Sequence, residues 1–266
     1  MNASSANNKP YRLQTSFREK IWGSTQLAPW YPDSQVKIGE VWFEAQLPLL
    51  IKFIFTTDKL SVQVHPNDRY AGAHENSRGK TEMWHILRAD PGAQIALGFR
   101  NPITRQRLRE ASLSGEIMDL LRWVVVNPGE TYFVPAGTVH AIGAGIALCE
   151  VQQYSDVTYR LHDYGRNREL HLDKAAEVSD TAAHDGKLVP LPLNCAYFHT
   201  DLQTLSGTVD YQTDPDRFQV LTVLEGAGRM AGQPYRMGEA WFVPAGIPGF
   251  SIEAEQGTKL LRTWVP

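Results

Sequence analysis

A twelve-residue segment occurs twice in this sequence, and the repeat limits the possible folds more than any other feature. GETYFVPAGTVH at residues 129–140 aligns without gaps with GEAWFVPAGIPG at residues 238–249. Each copy has a glycine corner, a short alternating stretch and a Pro-Ala-Gly turn, which suits one strand between two turns of a β-barrel. Hydrophobic segments of strand length flank both copies, so we interpret the repeat as a duplicated structural unit. The sequence therefore predicts two β-barrels in tandem.

Apolar segments of strand length precede the first copy. Some alternate with polar residues, as in a strand with one buried face, and others are continuous, as in a strand buried on both faces. Strands are predicted at residues 37–46, 49–55, 59–64, 83–87 and 94–99. Short turns join several of them, which indicates an antiparallel meander. The polar, glycine-containing residues 69–79 are predicted to form a loop.

Helical spacing of apolar residues is clearest at residues 101–123, where Pro102 suits a helix start and Gly115 divides two short helices. A proline-bounded linker, LVPLPL, marks a candidate domain boundary. We expect a mainly β chain, with a first domain at residues 11–188 that includes the helical insertion. A second barrel is expected at residues 189–266.

The charge balance and the cysteine count exclude several classes of protein. A formal net charge of −3 provides no general basic surface for nucleic acid or for an anionic membrane. The longest apolar run, residues 47–55, is too short to cross a bilayer and contains Lys52. The polar N-terminal stretch lacks the apolar core of a signal peptide. With two cysteines and no CxxC pair, a cytoplasmic protein is expected.

Two neighbouring segments, SVQVHPND at residues 61–68 and KTEMW at residues 80–84, contain the donors of a divalent-metal site. Side chains alternate across a strand, so Gln63 and His65 share one face, and Glu82 adds a carboxylate. A single histidine or glutamine on a strand is usually a hydrogen-bonded structural residue. The metal prediction therefore rests on the set and not on any one member.

The histidines are not equivalent candidates. His140 of the first repeat copy corresponds to Gly249 of the second, so only the first barrel has this donor. His85 lies three residues from Glu82 and therefore faces the opposite side of the strand, where a core or hydrogen-bonded role is expected. His74 lies in the predicted polar loop and is expected to contact solvent.

These segments resemble the type I mannose-6-phosphate isomerases of the short bacterial form, which belong to the cupin superfamily. The resemblance covers residues 11–266. The matching segments are KIWGSTQL, KIGEVWFEA, LLIKFIFTTDKLSVQVHPND, GKTEMWHIL and VPAGTVHAIGAGIALCEVQQYSDVTYRLHDYGR. It implies a tandem cupin fold, two jelly-roll β-barrels, of which the second is degenerate.

The resemblance also implies a ligand set for one Zn²⁺ per chain. The ligands are Gln63, His65, Glu82 and His140. Two imidazoles, a carboxylate and an amide oxygen form a mixed nitrogen and oxygen set that suits zinc and leaves a position open for substrate. Without a thiolate, the same set also accepts Fe²⁺, Mn²⁺ or Co²⁺.

The resemblance further implies catalytic roles for Lys80, Asp156 and Arg160. Lys80 shares a strand face with Glu82, although a solvated lysine is the alternative, and Arg160 would stabilise the enediolate or bind phosphate. Asp156 and Arg160 could instead form a structural ion pair. The base stays open among Lys80, Asp156, a zinc-linked histidine, a metal-bound hydroxide and Glu150, with Lys80 ranked first and Asp156 second. Substrate-binding candidates are Ser61, Lys80, Glu150 and Arg160, with Arg166 a further phosphate candidate.

The implied reaction interconverts mannose 6-phosphate and fructose 6-phosphate through a metal-stabilised cis-enediol. The substrate is then a small sugar phosphate, with no nucleic acid or membrane partner, and the chain is a monomer or a homodimer. One alternative is an isomerase of another aldose or aldose phosphate. Another is a metal-containing sugar-binding or regulatory cupin without turnover. A cupin dioxygenase or epimerase is disfavoured, because Gln63 stands where those enzymes have histidine.

Overall fold

The computed structural model describes residues 8–266, in which 19 β-strands and four short helices occur. The strands of the first part are β1 Tyr11–Arg12, β2 Gln14–Ser24, β3 Ile38–Glu44, β4 Leu49–Phe55, β5 Val62–Val64, β6 Glu82–Ala89, β7 Gln94–Phe99, β8 Leu121–Val125, β9 Thr131–Val134, β10 His140–Ile142, β11 Ile146–Gln153 and β12 Tyr159–His162. Those of the second part are β13 Leu193–Asn194, β14 His199–Tyr211, β15 Gln219–Glu225, β16 Ala227–Met230, β17 Gln233–Arg236, β18 Ala240–Val243 and β19 Phe250–Trp264. The helices are α1 Asp68–His74, α2 Arg105–Ser114, α3 Ile117–Leu120 and α4 Leu172–Val178.

Two antiparallel sheets form the first barrel. One has the strand order β2-β3-β4-β11-β6-β9, and the other has the order β12-β5-β10-β7-β8. Their inner faces share an apolar cluster that includes Ile54, Trp84, Tyr132, Leu97 and Ile142. Because side chains alternate along each strand, the same strands can direct polar residues at one end of this interior and apolar residues at the other.

Strand β4 is buried on both faces, which explains its continuous apolar sequence. Phe53 and Phe55 pack in a cluster that also contains Val220 and Leu224 of the second part, whereas Ile54 faces the interior of the first barrel. Lys52 lies on the same side as Ile54 and is only 2% exposed. The one charged residue of the strand is therefore inside the barrel.

The C-terminal sheet has eight strands, in the order β1-β18-β15-β19-β14-β13 with the hairpin β16 and β17 joined to β19. It encloses a cluster of its own around Trp241 and Ile252. The N-terminal strand β1 pairs with β18, and the indole N–H of Trp30 donates to the carbonyl of Leu224 at 2.9 Å. The two parts therefore share strand pairing and a continuous core. Their division at residues 188 and 189 stays a prediction.

The helices α2, α3 and α4 cover the outer face of the five-stranded sheet. The side chain of Thr104 caps α2 by accepting from the N–H of Arg107, and Gly115 ends it in the left-handed conformation at φ 88°. The predicted helical segment 101–123 is too long at its C-terminal end. Its last residues form β8, because they pair with β7 and extend the sheet.

The predicted loop at residues 69–79 is also corrected. Asp68–His74 forms the helix α1, and the side chain of Asn67 caps it by accepting from the N–H of Tyr70. His74 is exposed, as expected, and its ring stacks on Tyr70. The helix matters for the site, because the side chain of Asp68 accepts from the N–H of Gly79 just before the KTEMW segment.

The repeat is confirmed as a structural unit. Strands β9 and β18 occupy equivalent positions in the two copies, and each follows a glycine at nearly the same backbone angle, φ 89° at Gly129 and φ 88° at Gly238. Glycine is favoured there because a side chain would strain this left-handed turn. Among residues 8–266, no helix has the length and apolar content needed to cross a membrane.

Substitution of Phe53 tests the shared core. Phe53 is fully buried between the two parts, so Phe53→Ala should lower the free energy of unfolding by about 3–5 kcal/mol. Phe17, 47% exposed on the edge strand β2, is the control, and Phe17→Ala should change stability by less than about 1 kcal/mol. Denaturant unfolding measures both. Equal effects of the two substitutions would contradict this account of the core.

Candidate active site

Strand pairing brings the predicted metal donors together at one end of the first barrel. Gln63 of β5 lies directly opposite His140 of β10 in the five-stranded sheet, and His65 follows the end of β5. Glu82 begins β6 of the facing sheet. The donors therefore come from both walls of the barrel and meet across its interior.

Three of the donors form a compact, buried cluster. Nε2 of His140 lies 3.5 Å from Oε1 of Glu82, and Nε2 of His65 lies 3.7 Å from Oε2 of the same carboxylate. All three donor atoms lie within 4.8 Å of one another, and each of these residues is 1% exposed. This arrangement can hold a divalent ion between two imidazoles and one carboxylate.

Both imidazoles are oriented for ligation. Nδ1 of His65 lies 2.8 Å from the carbonyl of Val157, and Nδ1 of His140 lies 2.8 Å from the carbonyl of Thr138. Each Nδ1 therefore carries the proton and donates it, which leaves the Nε2 lone pair directed into the cluster. Burial lowers the pKa of His140 to about 4 and also lowers that of His65, where Lys80 adds to the effect. Both rings are neutral near pH 7.

The amide of Gln63 adjoins this cluster. Its Nε2 lies 3.3 Å from Nε2 of His140, and its Oε1 accepts from the hydroxyl of Ser61 at 3.2 Å. The oxygen and nitrogen of an amide are assigned from their contacts, and turning the amide over would direct the oxygen at the cluster. The nitrogen would then donate to Ser61. Gln63 is thus placed to serve as the fourth ligand, and Ser61 to orient it.

Glu82 of this cluster and the adjoining Gln63 lie in the wall of a cavity of about 270 Å³, and the two histidines lie behind that wall. The polar side chains that line it are Lys20, Glu40, Lys52, Ser61, Gln63, Lys80, Glu82, Glu150, Asp156, Thr158, Arg160 and Arg168. Its apolar walls are Trp22, Ile54, Leu60, Trp84 and Ile142. Such a concave, highly charged space suits a small polar ligand and not a large apolar one.

Buried charges extend from the metal donors into the cavity. The ammonium of Lys80 donates to Oε2 of Glu82 at 2.7 Å and lies 2.9 Å from Nε2 of His65. It also lies 3.4 Å from Glu150, which is in turn 4.0 Å from Lys52. Each charge therefore has an opposite neighbour, as burial requires.

These contacts shift the pKa values of the two central groups. Burial favours the neutral amine of Lys80, but the carboxylates of Glu150 and Glu82 outweigh it and raise its pKa. Burial, reinforced by Glu82, raises the pKa of Glu150 despite the nearby lysines. Lys80 thus carries a proton at neutral pH, while Glu150 is a carboxyl group that binds a proton more readily than usual.

Two of the other predicted residues, Arg160 and Asp156, also line this cavity, whereas Arg166 does not. Arg160 is the strand neighbour of Gln63 on β12 and donates to the carbonyl of Glu169 at 2.8 Å. Asp156 is exposed at the cavity mouth. Arg166 does not line the cavity, because it pairs with Asp58 at 2.6 Å.

His85 faces away from the cavity, as expected. Its Nδ1 lies 2.9 Å from the hydroxyl of Thr131, so it is a buried, hydrogen-bonded structural residue.

Four charged cavity residues were not predicted from the sequence: Lys20, Glu40, Lys52 and Arg168. The sequence does contain an indication for Lys52, because a lysine inside an apolar strand of seven residues requires a buried partner. Arg168 is held by Asp163 through two hydrogen bonds of 2.7 and 2.6 Å, and Asp163 is 3% exposed. Nothing in the local sequence around Lys20 or Glu40 indicates that they face a cavity.

The second barrel has other residues at the equivalent positions. Glu82 pairs with Val134 of β9, and Gln219 pairs with Val243 at the same place in the second repeat copy. Gln219 accepts from the hydroxyl of Tyr211 and so is engaged with its own barrel. At Gly249, the counterpart of His140, an added Cβ would lie 3.0 Å from the carbonyl oxygen of Tyr211. The carboxylate and the histidine are thus replaced by an amide and a glycine.

Comparison with known proteins identifies the family. No protein-family model matches the chain. Mannose-6-phosphate isomerase ManA of Bacillus subtilis (strain 168) is 36% identical over 92% of this chain and 96% of that protein. The chain belongs to the mannose-6-phosphate isomerase family. A mannose-6-phosphate isomerase of Streptococcus mutans serotype c is 37% identical over 69% of this chain and 62% of that protein.

Solved structures of this family confirm the predicted fold. The mannose 6-phosphate isomerase from Bacillus subtilis matches with a TM-score of 0.86 at 28% identity, over 96% of this chain and 99% of that one. A phosphomannose isomerase from Salmonella typhimurium matches with a TM-score of 0.76 at 18% identity, over 97% of this chain and 99% of that one. At that identity the second match shows the fold alone. The mainly β, cupin-like architecture and the family are thus as predicted.

Metal titration tests the difference between the two barrels. The metal-free protein should bind one equivalent of Zn²⁺, and His140→Asn should weaken binding by at least about 100-fold, because a donor is lost. Gly249→His should add no second site, since Gln219 is a neutral amide and the Tyr211 carbonyl crowds position 249. Elemental analysis after dialysis measures both. A second equivalent bound by Gly249→His would contradict this interpretation.

Acid should destabilise the metal-free protein through His140. The pKa of His140 is about 4 in the folded protein and 6.5 when unperturbed, so the unfolded chain takes up the proton first. Stability is therefore complete above pH 6.5 and falls as the pH decreases towards 4, by roughly 3 kcal/mol for this residue.

Denaturant unfolding of metal-free wild type and His140→Asn between pH 4 and 7.5 measures this effect. The variant should lose less stability on acidification, because Asn does not titrate. Parallel curves for the two proteins would refute the assignment.

Proposed function

We propose that the chain is an aldose–ketose isomerase that interconverts mannose 6-phosphate and fructose 6-phosphate through a cis-enediol. One observation carries the proposal: a single cavity is lined both by Glu82 and Gln63, which belong to the candidate metal donors, and by a group of cationic side chains. A sugar phosphate needs both, because its carbonyl end requires polarisation and its phosphate end requires positive charge. The relatives named mannose-6-phosphate isomerase support the same activity.

We propose Zn²⁺ as the ion, held by His65, His140, Glu82 and Gln63. The donor chemistry supports this choice, since two neutral imidazoles, a carboxylate and an amide form a mixed set without thiolate. When bound, the ion supplies Lewis acidity at the carbonyl end of the open-chain sugar. The remaining chemistry then falls to the side chains that surround the cavity.

Proton transfer between C1 and C2 is proposed for Lys80 and Glu150. The two are 3.4 Å apart in the water-poor base of the cavity, and their pKa values are raised together. A carboxyl group with a raised pKa can accept the proton from one carbon and return it to the other, while the ammonium beside it holds the charge that develops. Asp156, at the exposed mouth, is better placed to contact sugar hydroxyls than to act as this base.

The phosphate is proposed to bind at Arg160, Arg168 and Lys20. Arg160 projects from the strand beside Gln63, one strand from the metal donors. Arg168 lines the cavity while Asp163 fixes its guanidinium, so little side-chain entropy remains to be lost on binding. Lys20 pairs with Glu40 at 3.3 Å and adds a third cation. The predicted phosphate candidate Arg166 is replaced by Arg168 in this proposal.

We also propose a cytoplasmic location, which fits the two free cysteines, Cys149 and Cys195. Whether the protein is a monomer or a homodimer stays a prediction.

A coupled assay with a panel of substrates tests the proposed activity. The zinc-loaded protein should convert mannose 6-phosphate to fructose 6-phosphate, lose activity with a chelator and recover it with Zn²⁺. Thermal stabilisation by the sugar phosphates without turnover would instead indicate a sugar-binding cupin. Conversion of other aldose phosphates at equal rates would leave an isomerase but refute the assigned substrate.

Two neighbouring arginines provide a matched test of the phosphate site. Arg166 and Arg168 both contact Asp163, but only Arg168 lines the cavity. Arg168→Ala should raise KM for mannose 6-phosphate by about 10- to 100-fold, through loss of a charged hydrogen bond, and leave zinc content unchanged. Arg166→Ala should leave KM within about twofold of wild type. Steady-state kinetics decides the matter, and similar KM values for both variants would contradict the proposed phosphate position.

A further inference from the structure

Several buried polar atoms in the wall of the cavity have no hydrogen-bond partner. Eight such side-chain atoms occur among residues 8–266, and three of them belong to residues that line this one cavity. They are Nε1 of Trp84, Oε1 of Glu150 and Nε of Arg160. Buried donors and acceptors are nearly always paired in native proteins, so a group of unpaired ones beside a cavity marks where a ligand supplies the partners.

Trp84 is the member that neither the predicted site nor the proposed mechanism uses. It lies two residues from Glu82 on β6, so its side chain shares the inward face of that strand. Its ring packs edge-on against His140, with centroids 5.4 Å apart and planes at 74°. The residue is 1% exposed. Trp84 therefore stands between the metal donors and the apolar end of the barrel.

Three other indoles in the protein have partners. Trp30 donates to the carbonyl of Leu224, Trp123 to that of Met118, and Trp241 to the carboxylate of Glu239. An indole N–H can only donate, and in protein interiors it normally finds an acceptor. Among residues 8–266, Trp84 is the one tryptophan whose fully enclosed N–H has no partner.

The unpartnered acceptor lies on the adjacent strand. Glu150 of β11 is the direct cross-strand partner of Trp84, and its Oε1 makes no hydrogen bond, although the ammonium of Lys80 lies 3.4 Å away as an ion-pair partner. Directly opposite residues of an antiparallel pair lie close enough for one small group to contact both side chains. A hydroxyl group fits this pair, because its oxygen can accept from the indole while its hydrogen is donated to the carboxylate.

We propose that Trp84 is a substrate-binding residue, whose indole N–H donates to a sugar hydroxyl that in turn donates to Glu150. The proposal rests on the function proposed above and adds a specificity determinant to it. The two residues would therefore select hexose phosphates that carry a hydroxyl at this point of the cavity.

The test uses mannitol 6-phosphate, which has no carbonyl and cannot be isomerised. Trp84→Phe removes the N–H and keeps an aromatic ring, so its affinity for this probe should fall about 5- to 10-fold, the value of one hydrogen bond. Zinc content and thermal midpoint should stay close to wild type. Trp123→Phe is the matched control, because its N–H donates to a backbone carbonyl away from this cavity, and its affinity should not change.

Monodeoxy analogues of the probe show whether a particular hydroxyl is involved. In the wild type, removal of one hydroxyl should weaken binding by a similar factor, and in Trp84→Phe removal of the same hydroxyl should have no further effect. If Trp84→Phe does not fold, Glu150→Gln takes its place, since the same hydroxyl should then lose its contribution. Calorimetric titration provides these affinities.

The outcomes separate this inference from the function on which it rests. Undiminished affinity of Trp84→Phe, or equal losses for every deoxy analogue in both proteins, would overturn the assignment of Trp84 alone. A wild-type protein that neither binds nor converts any hexose phosphate would overturn the proposed function and this inference together.

Discussion

The alternation of buried charges from Lys52 through Glu150 and Lys80 to Glu82 is the interaction on which the rest of the site depends. Each of these residues is at most 4% exposed, so each needs an opposite charge close by. Taking ions out of water costs several kcal/mol apiece, and removal of one leaves its neighbours uncompensated. Three adjacent strands, β4, β11 and β6, must therefore keep their register, since only that register sets the charges side by side.

The candidate metal donors could be named from the sequence because short-range rules and the resemblance to the family point to the same residues. Alternation placed Gln63 and His65 together, and the repeat distinguished His140 from Gly249. Lys52 and Arg168 could not be placed in the same way, because their positions depend on which strands pair and on how a distant loop closes over the barrel. The helix at Asp68–His74 was not predicted, because its polar, glycine-containing sequence has little apolar periodicity. The helix is stabilised instead by its N-terminal cap and by its packing.

The second barrel repeats the framework of the first but has different residues at the positions of the candidate metal donors. Gln219 takes the place of Glu82 and accepts from the hydroxyl of Tyr211, and Gly249 takes the place of His140. The outer face of this barrel supplies Val220 and Leu224 to the core that supports β4. The second barrel thus packs behind the strand that carries Lys52 into the cavity.

The burial of β4 on both faces links the geometry of the cavity to the packing between the barrels. A slip of this strand by a single residue would exchange the roles of Lys52 and Phe53. An ammonium would then enter a dry aromatic interface, and a phenyl ring would fill the space where sugar should bind. Both changes would raise the free energy of a misfolded form with that alignment. The lysine that lines the cavity therefore also favours the native register of the sheet.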